Sequence, residues 1–218
     1  MELINKQFNA KIGKTIHLIR HGQTDFNKRN IIQGSGINSD LNSEGQAQAR
    51  AFFEGFKTQG YDHVYTSELK RAIQSVQRFI DAGIPHTALS AFNEINWGIM
   101  EGRESSEETA TLFAATVSEW QRGNIHHAVE MGETPYDMFQ RQAQGIELVL
   151  SQAEEDKILI CMHGRAIRSF LCLLTQTPLH LMEQWEHSNL CLYELVFDGI
   201  KFEVKQANSV EHLRSIQS

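Results

Sequence analysis

An apolar run, Thr15-Ile16-His17-Leu18-Ile19, breaks off into Arg20-His21-Gly22-Gln23-Thr24, with Asn27 a little further on. Arginine carries a permanent charge on a fork of donors that grips a tetrahedral oxyanion. Histidine beside it is a nucleophile and acid/base near neutral pH, and glycine lets the backbone come close to a ligand. In open α/β proteins such groups do chemistry at the carboxyl ends of parallel strands, so the combination points to attack on a phosphoryl group. A second apolar run, 157–162, ends the same way in His163-Gly164-Arg165. A third, 63–66, leads into Ser67-Glu68-Leu69-Lys70-Arg71-Ala72, which places Arg71 early in a helix. A fourth stretch offers Glu94 ahead of Trp97-Gly98, with Glu101-Gly102 beyond. Taken singly, each has an ordinary structural role: a strand-end histidine, a helix-face arginine, a surface glutamate.

Taken together and in order, these pieces resemble branch 1 of the histidine phosphatase, or phosphoglycerate-mutase-like, superfamily. The matching elements are the Arg20-His21-Gly22 (RHG) motif with Gln23, Thr24 and Asn27; Gln33-Gly34, then Leu41 to Gly45; Ser67 to Ala72; Asn93-Glu94 with Trp97-Gly98 and Glu101-Gly102; Gly132 to Thr134 with Arg141; and His163-Gly164. Asn208 with His212-Leu213 resembles a common ending. The resemblance implies His21 as nucleophile, forming a phosphohistidine, with Arg20, Arg71 and His163 lining the phosphate pocket. It implies Glu94 as general acid and base, a role that calls for partial burial to raise its pKa. Asn27, Thr24, Gln33 and Gly164 are further candidates for phosphate or substrate contact. Glu133 and Arg141 match a position that is more often structural. No metal or cofactor is expected, because the arginines and His163 can carry the developing charge. His126-His127 lacks a nearby third ligand and reads as a surface loop.

Two features bear on substrate. Where the family commonly has Asp-x-Pro-Leu, this chain has Asn38-Ser39-Asp40-Leu41. Between Glu94 and His163 the only basic residues are Arg103, Arg122, Arg141 and Lys157, without the adjacent arginine pair typical of the mutases. A phosphatase acting on a small phosphorylated substrate is therefore favoured over a cofactor-dependent phosphoglycerate mutase. An inactive phospho-ligand-binding relative is the reading from another class, and it predicts loss of at least one of His21, Arg71, Glu94 or His163.

The elements that must position these residues follow from periodicity and turn signals. A helix is expected from Asn42-Ser43 to about Gly60, with Ser43 and Gln46 in capping-box spacing and Ala47, Ala51, Phe52 and Phe56 as its core stripe. Further helices are expected over 67–82, 104–122, 134–154 and 165–175, the last ended by Pro178. Strands over 190–197 and 200–205 are joined by Asp198-Gly199, a hairpin signal. Alternating βα units imply a three-layer α/β/α sandwich with a mostly parallel central sheet. A small helical cap is expected over about 95–135, and residues 1–14 read as a loose arm on a single domain.

A chain of 218 residues with 41% hydrophobic content suits one globular α/β domain. No window approaches the roughly 20 apolar residues of a membrane helix, and the first fourteen residues lack a secretory core. Cys161, Cys172 and Cys191 lie in apolar patterns and read as reduced core thiols of a cytoplasmic protein. Residues 1–100 carry 11 basic and 9 acidic side chains and the remainder 9 and 18, a net of −7 with no basic face for nucleic acid. The sequence leaves open whether the protein is a homo-oligomer.

Overall fold

The computed structural model describes residues 7, 8 and 10–216. Six strands, β1 (Thr15–Arg20), β2 (His63–Thr66), β3 (His86–Ala88), β4 (Lys157–Met162), β5 (Leu192–Phe197) and β6 (Phe202–Ser209), form one sheet in the order β3-β2-β4-β1-β5-β6. The first four are mutually parallel; β5 and β6 close the sheet as an antiparallel edge. Six α-helices accompany them: α1 (Asp25–Lys28), α2 (Ser43–Phe56), α3 (Lys70–Asp81), α4 (Glu107–Gln121), α5 (Pro135–Leu150) and α6 (Gly164–Thr175).

Side chains alternate across the pleat and so build two cores. On one face Ile16, Leu18, Ile158 and Ile160 pack against Ile146 and Val149 of α5 and Ile167 and Phe170 of α6. On the other, Ile19, Leu159 and Cys161 meet Phe52 of α2 and Val76 and Phe79 of α3. This is the expected three-layer sandwich. All three cysteines are buried and free. Among the described residues no helix is long and apolar enough to cross a membrane.

The register of β1 on β4 matters most for the site. Arg20 pairs with Met162, and the His21 N–H donates to the Met162 carbonyl at 3.0 Å. The next residue of each strand is a histidine, so His21 and His163 emerge side by side.

Several boundaries differ from expectation. The α2 cap is Asn42, whose Oδ1 accepts from the Gly45 N–H at 2.9 Å, rather than a Ser43 capping box. That helix ends at Phe56, and α5 ends at Leu150, short of 154. Helix α3 begins at Lys70 instead of Ser67, because the Ser67 side chain turns to His163 and the Lys70 N–H is capped by Asn38 Oδ1 from a distant loop. The β5–β6 turn is four residues long, with Asp198 Oδ1 accepting from Ile200 and Lys201. The described part of the arm, 7, 8 and 10–14, is tied down at Phe8 and Lys14. The Phe8 ring lies edge-on to Phe197 and Phe202, and Lys14 is buried with its Nζ on the Gln152 carbonyl. Residues 1–6 and 9 of that arm lie outside the described residues.

One glycine is demanded by a close approach. A Cβ on Gly45 would sit 2.1 Å from the Gln23 carbonyl oxygen, where the loop after His21 crosses the start of α2. Gly45→Ala is expected to destabilise the protein by about 1–3 kcal/mol through backbone displacement, read as a lowered urea midpoint; an unchanged midpoint would refute it.

Candidate active site

His21 is 3% exposed. Its Nδ1–H donates to the Gly22 carbonyl at 2.7 Å. A carbonyl only accepts, so the proton sits on Nδ1 and Nε2 keeps its lone pair. Burial, reinforced by the charges of Arg71 and Arg20, holds the His21 pKa well below 6.5. The imidazole is therefore neutral and nucleophilic at neutral pH.

The His163 ring centre lies 5.1 Å from that of His21. Its Nε2 is 2.7 Å from the Ser67 hydroxyl. That oxygen also accepts from the Leu69 N–H, and where its own proton goes to Nε2 the His163 proton sits on Nδ1. Burial and then the neighbouring Arg71 and His21 keep this ring neutral as well.

Arg71 is fully buried at the start of α3. Its Nη1 and Nη2 donate to the carbonyls of Ile37 at 2.5 Å and Gly34 at 3.2 Å, so the loop that departs from the family pattern is the one that aims this guanidinium. Burial lowers its pKa to about 10, a measure of how little in the protein compensates the charge. Ser75 locks the geometry: its hydroxyl donates to the Arg71 carbonyl at 2.6 Å and accepts from the Gly22 N–H at 2.9 Å. Arg20 is half-buried, and its Nη1 donates to His187 Nδ1 at 3.3 Å. Arg20 Nε, Arg71 Nε and His163 Nδ1 are buried without a hydrogen-bond partner in the protein. An unmet buried donor costs about 1–3 kcal/mol. Three such atoms in the residues around His21 are what a preorganised oxyanion site would require.

Glu94 is 6% exposed. The structure adds an anchor: its carboxylate accepts from Arg165 N–H at 3.0 Å, Ala166 N–H at 2.9 Å and Ile95 N–H at 3.0 Å. It thus sits on the N-terminus of α6, within electrostatic reach of Arg20 and Arg71. Arg141 braces the segment that presents it. Its guanidinium spans both Glu133 oxygens, at 2.7 and 2.9 Å, and donates to the carbonyls of Ala91, Asn93 and Glu94. Glu101, the competing carboxylate, is turned to the Trp97 N–H and packs against Gly34 and Gly36.

The remaining candidates divide. Asn27 reaches the wall of a cavity of about 630 Å³ that also includes Arg20, Asn189, Arg103, Thr109 and Phe113. Thr24 and Gln33 do not line it. Thr24 Oγ1 caps α1, donates to Asn27 Oδ1 and accepts from Gln33 Nε2, while Gln33 Oε1 takes the Ser39 hydroxyl. They frame Asn27. Gly164 opens α6, and a Cβ there would come within 2.9 Å of the His187 ring. His126 packs on Tyr136 in the loop before α5. Sequence reasoning missed Ser75, His187 and Asn189, and it gave Ser67 no role. Ser67 and Ser75 were legible as polar positions flanking Arg71; His187 and Asn189 stand in an irregular segment without any pattern.

A mixed α/β/α sandwich whose strand ends gather a free imidazole nitrogen, two guanidiniums and an anchored carboxylate is a phosphoryl-transfer scaffold. The profile of the histidine phosphatase superfamily (branch 1) matches residues 16–210, and the chain belongs to that family. It is 29% identical over 197 residues to the phosphatase PhoE of Bacillus subtilis, covering 90% of this chain and 95% of that protein. It is 30% identical over 165 residues to a 2,3-bisphosphoglycerate-dependent phosphoglycerate mutase of Methylobacterium radiotolerans, covering 72% and 77%. In structure it is similar to the phosphoserine phosphatase of Entamoeba histolytica solved with 3-phosphoglyceric acid, with a TM-score of 0.79, 22% identity and coverage of 91% and 98%. The enzyme is of the phosphatase type.

Proposed function

We propose that the protein is a metal-independent phosphomonoesterase of the cytoplasm that acts on a small phosphorylated metabolite through a phosphohistidine. The observation that carries this reading is the free Nε2 of His21 set among the unpartnered donors of Arg20, Arg71 and His163. In the first half-reaction Nε2 attacks phosphorus, the ester P–O bond breaks, and the leaving oxygen takes a proton from the Glu94 carboxyl. In the second, water attacks the phosphohistidine, Glu94 takes its proton, and the P–N bond breaks to return neutral His21 and inorganic phosphate. The two arginines and His163 meet the charge on the nonbridging oxygens throughout.

The cavity meets the site at Arg20 and Asn27 and not at His21, Arg71, Glu94 or His163, and its size suits a small organic group beside the phosphoryl position. Segment 95–135 supplies Arg103, Thr109 and Phe113 to its wall, which supports a cap function for α4. Basic side chains that could hold a second phosphoryl group are few. Arg141 is bound to Glu133, Arg122 pairs with Glu119, and Lys157 donates to Gln59. Of the four between Glu94 and His163 only Arg103 lines the cavity, which favours a phosphatase over a mutase.

The test is phosphate release from a panel of phosphomonoesters without added metal. Interconversion of 2- and 3-phosphoglycerate without release would replace this reading by the mutase. Glu94→Gln is expected to lower kcat/KM by about 10²–10⁴-fold for alkyl phosphates and markedly less for p-nitrophenyl phosphate, whose leaving group needs no proton. Equal losses on both would remove Glu94 from the proton-transfer role.

A further inference from the structure

The segment between α6 and β5 holds both halves of the Arg20-His21 pair, and nothing in the motif pattern assigns it a role. Arg20 Nη1 reaches His187 Nδ1 at 3.3 Å. Asn189 Nδ2 donates to the His21 carbonyl at 3.0 Å, and the Leu190 N–H donates to the Arg20 carbonyl at 3.1 Å. Leu190 is buried and stands at φ 52°, a left-handed conformation that is costly for an apolar residue with a Cβ. The segment is in turn tied down on its outer side. Asn208 Oδ1 accepts from the Ser188 N–H at 3.0 Å, and the Tyr193 hydroxyl donates to the Glu186 carbonyl at 2.5 Å.

We propose that His187 is a positioning residue, a neutral hydrogen-bond acceptor that sets the angle of the Arg20 guanidinium toward the phosphoryl group, on a strained segment whose Asn189 fixes the His21 backbone. Rested on the phosphoryl-transfer reading above, this deepens it by naming what aims one of its two arginines. The chemistry allows only one polarity. A guanidinium donates and never accepts, so His187 Nδ1 must offer its lone pair, which leaves the ring proton on Nε2. A protonated ring here would face three cations, and burial with Arg20, Arg168 and Arg165 brings the His187 pKa down to about 3. The ring also fills the space over Gly164, at the N-terminus of the helix that anchors Glu94. One side chain thereby sets the distance between the guanidinium and the platform of the general acid.

The experiment compares His187→Ala and His187→Asn, because an asparagine carbonyl oxygen can take the place of Nδ1 while its smaller side chain packs less well on Gly164. Three quantities are read: kcat/KM, the affinity for vanadate measured by calorimetry, and the thermal midpoint. Misplacing a clamp by about 1 Å costs on the order of 10²-fold. His187→Ala is expected to lose about that much in kcat/KM and to weaken vanadate in parallel. His187→Asn is expected to recover both to within about threefold, a residual the same misplacement scale allows, even where its midpoint stays low. Equal losses in both variants, or vanadate affinity unchanged in His187→Ala, would overturn the proposal and leave a packing residue. Vanadate binding needs no turnover. A parent protein silent on every ester but binding vanadate in a His187-dependent way would therefore refute the catalytic reading alone.

Discussion

His21→Ala is expected to abolish phosphate release, with a loss of about 10⁴-fold or more, while the protein stays folded. The size of the effect follows from His21 Nε2 being the lone pair proposed to attack phosphorus. The Nδ1 of His21 is engaged by the Gly22 carbonyl, and His163 is tied to Ser67 through Nε2. With His21 gone, no other group takes over the bond to phosphorus; the donors of Arg20, Arg71 and His163 remain and can still hold an oxyanion. The variant should therefore bind vanadate or phosphate yet show no labelled phosphoenzyme on rapid quench of a phosphorylated substrate. His21 belongs to neither apolar core, so the thermal midpoint should move by only a few degrees. A phosphoenzyme that survives in His21→Ala would transfer the nucleophile to another residue. A parent protein that binds phosphate but never turns over would revive the inactive-relative reading.

The protein should lose stability steeply as the pH falls below about 6.5, the ordinary histidine pKa. Three buried histidines, His17, His21 and His163, and the half-buried His187 are kept neutral by the fold. Burial brings His17 to about 4 and His187 to about 3, and holds His21 and His163 well below 6.5. In the unfolded chain each would titrate near 6.5, so below that value the unfolded state binds more protons than the native one. Depressed histidine pKa values thus leave stability intact above about 6.5 and withdraw it as the pH falls toward the folded values, by about 1.4 kcal/mol per pH unit for each group. Chemical denaturation at pH 7, 6 and 5 reads this directly as a falling midpoint. A flat profile across that range would mean that the four rings are hydrated or already paired with anions. Three of the four lie in or beside the active site, so this acid sensitivity is the cost of keeping a neutral nucleophile among arginines.

The chemistry was legible in the sequence wherever it is carried by residues adjacent to regular elements. His21 and His163 follow apolar runs that could only be buried strands, and Arg71 opens an amphipathic helix; the sheet then brings all three together as read. Glu94 was legible in identity but not in its anchoring, since α6 and the segment at 94 are some seventy residues apart and meet only in the fold. Thr24 and Gln33 were read as substrate contacts, yet their hydrogen bonds are committed to one another and to the α1 cap. A polar side chain near a motif has many partners open to it, and sequence spacing does not choose among them. His187 and Asn189 lie in an irregular segment, where neither a 3.6- nor a 2-residue period marks which side chains turn inward. The packing of Phe8 was illegible for a related reason: its aromatic partners Phe197 and Phe202 arrive from the other end of the chain.

The parallel register that sets His21 beside His163 has an evolutionary corollary. The groups proposed to handle phosphorus hang from neighbouring central strands and from helices packed on them, whereas the neighbouring cavity takes part of its wall from segment 95–135. On the proposed mechanism, breakdown of the phosphohistidine is the same event whatever alcohol has departed, and it draws on His21, Glu94 and the arginines alone. A lineage built on this plan is free to drift from one ester to another by rewriting residues 95–135, with its hydrolytic half-reaction inherited unchanged.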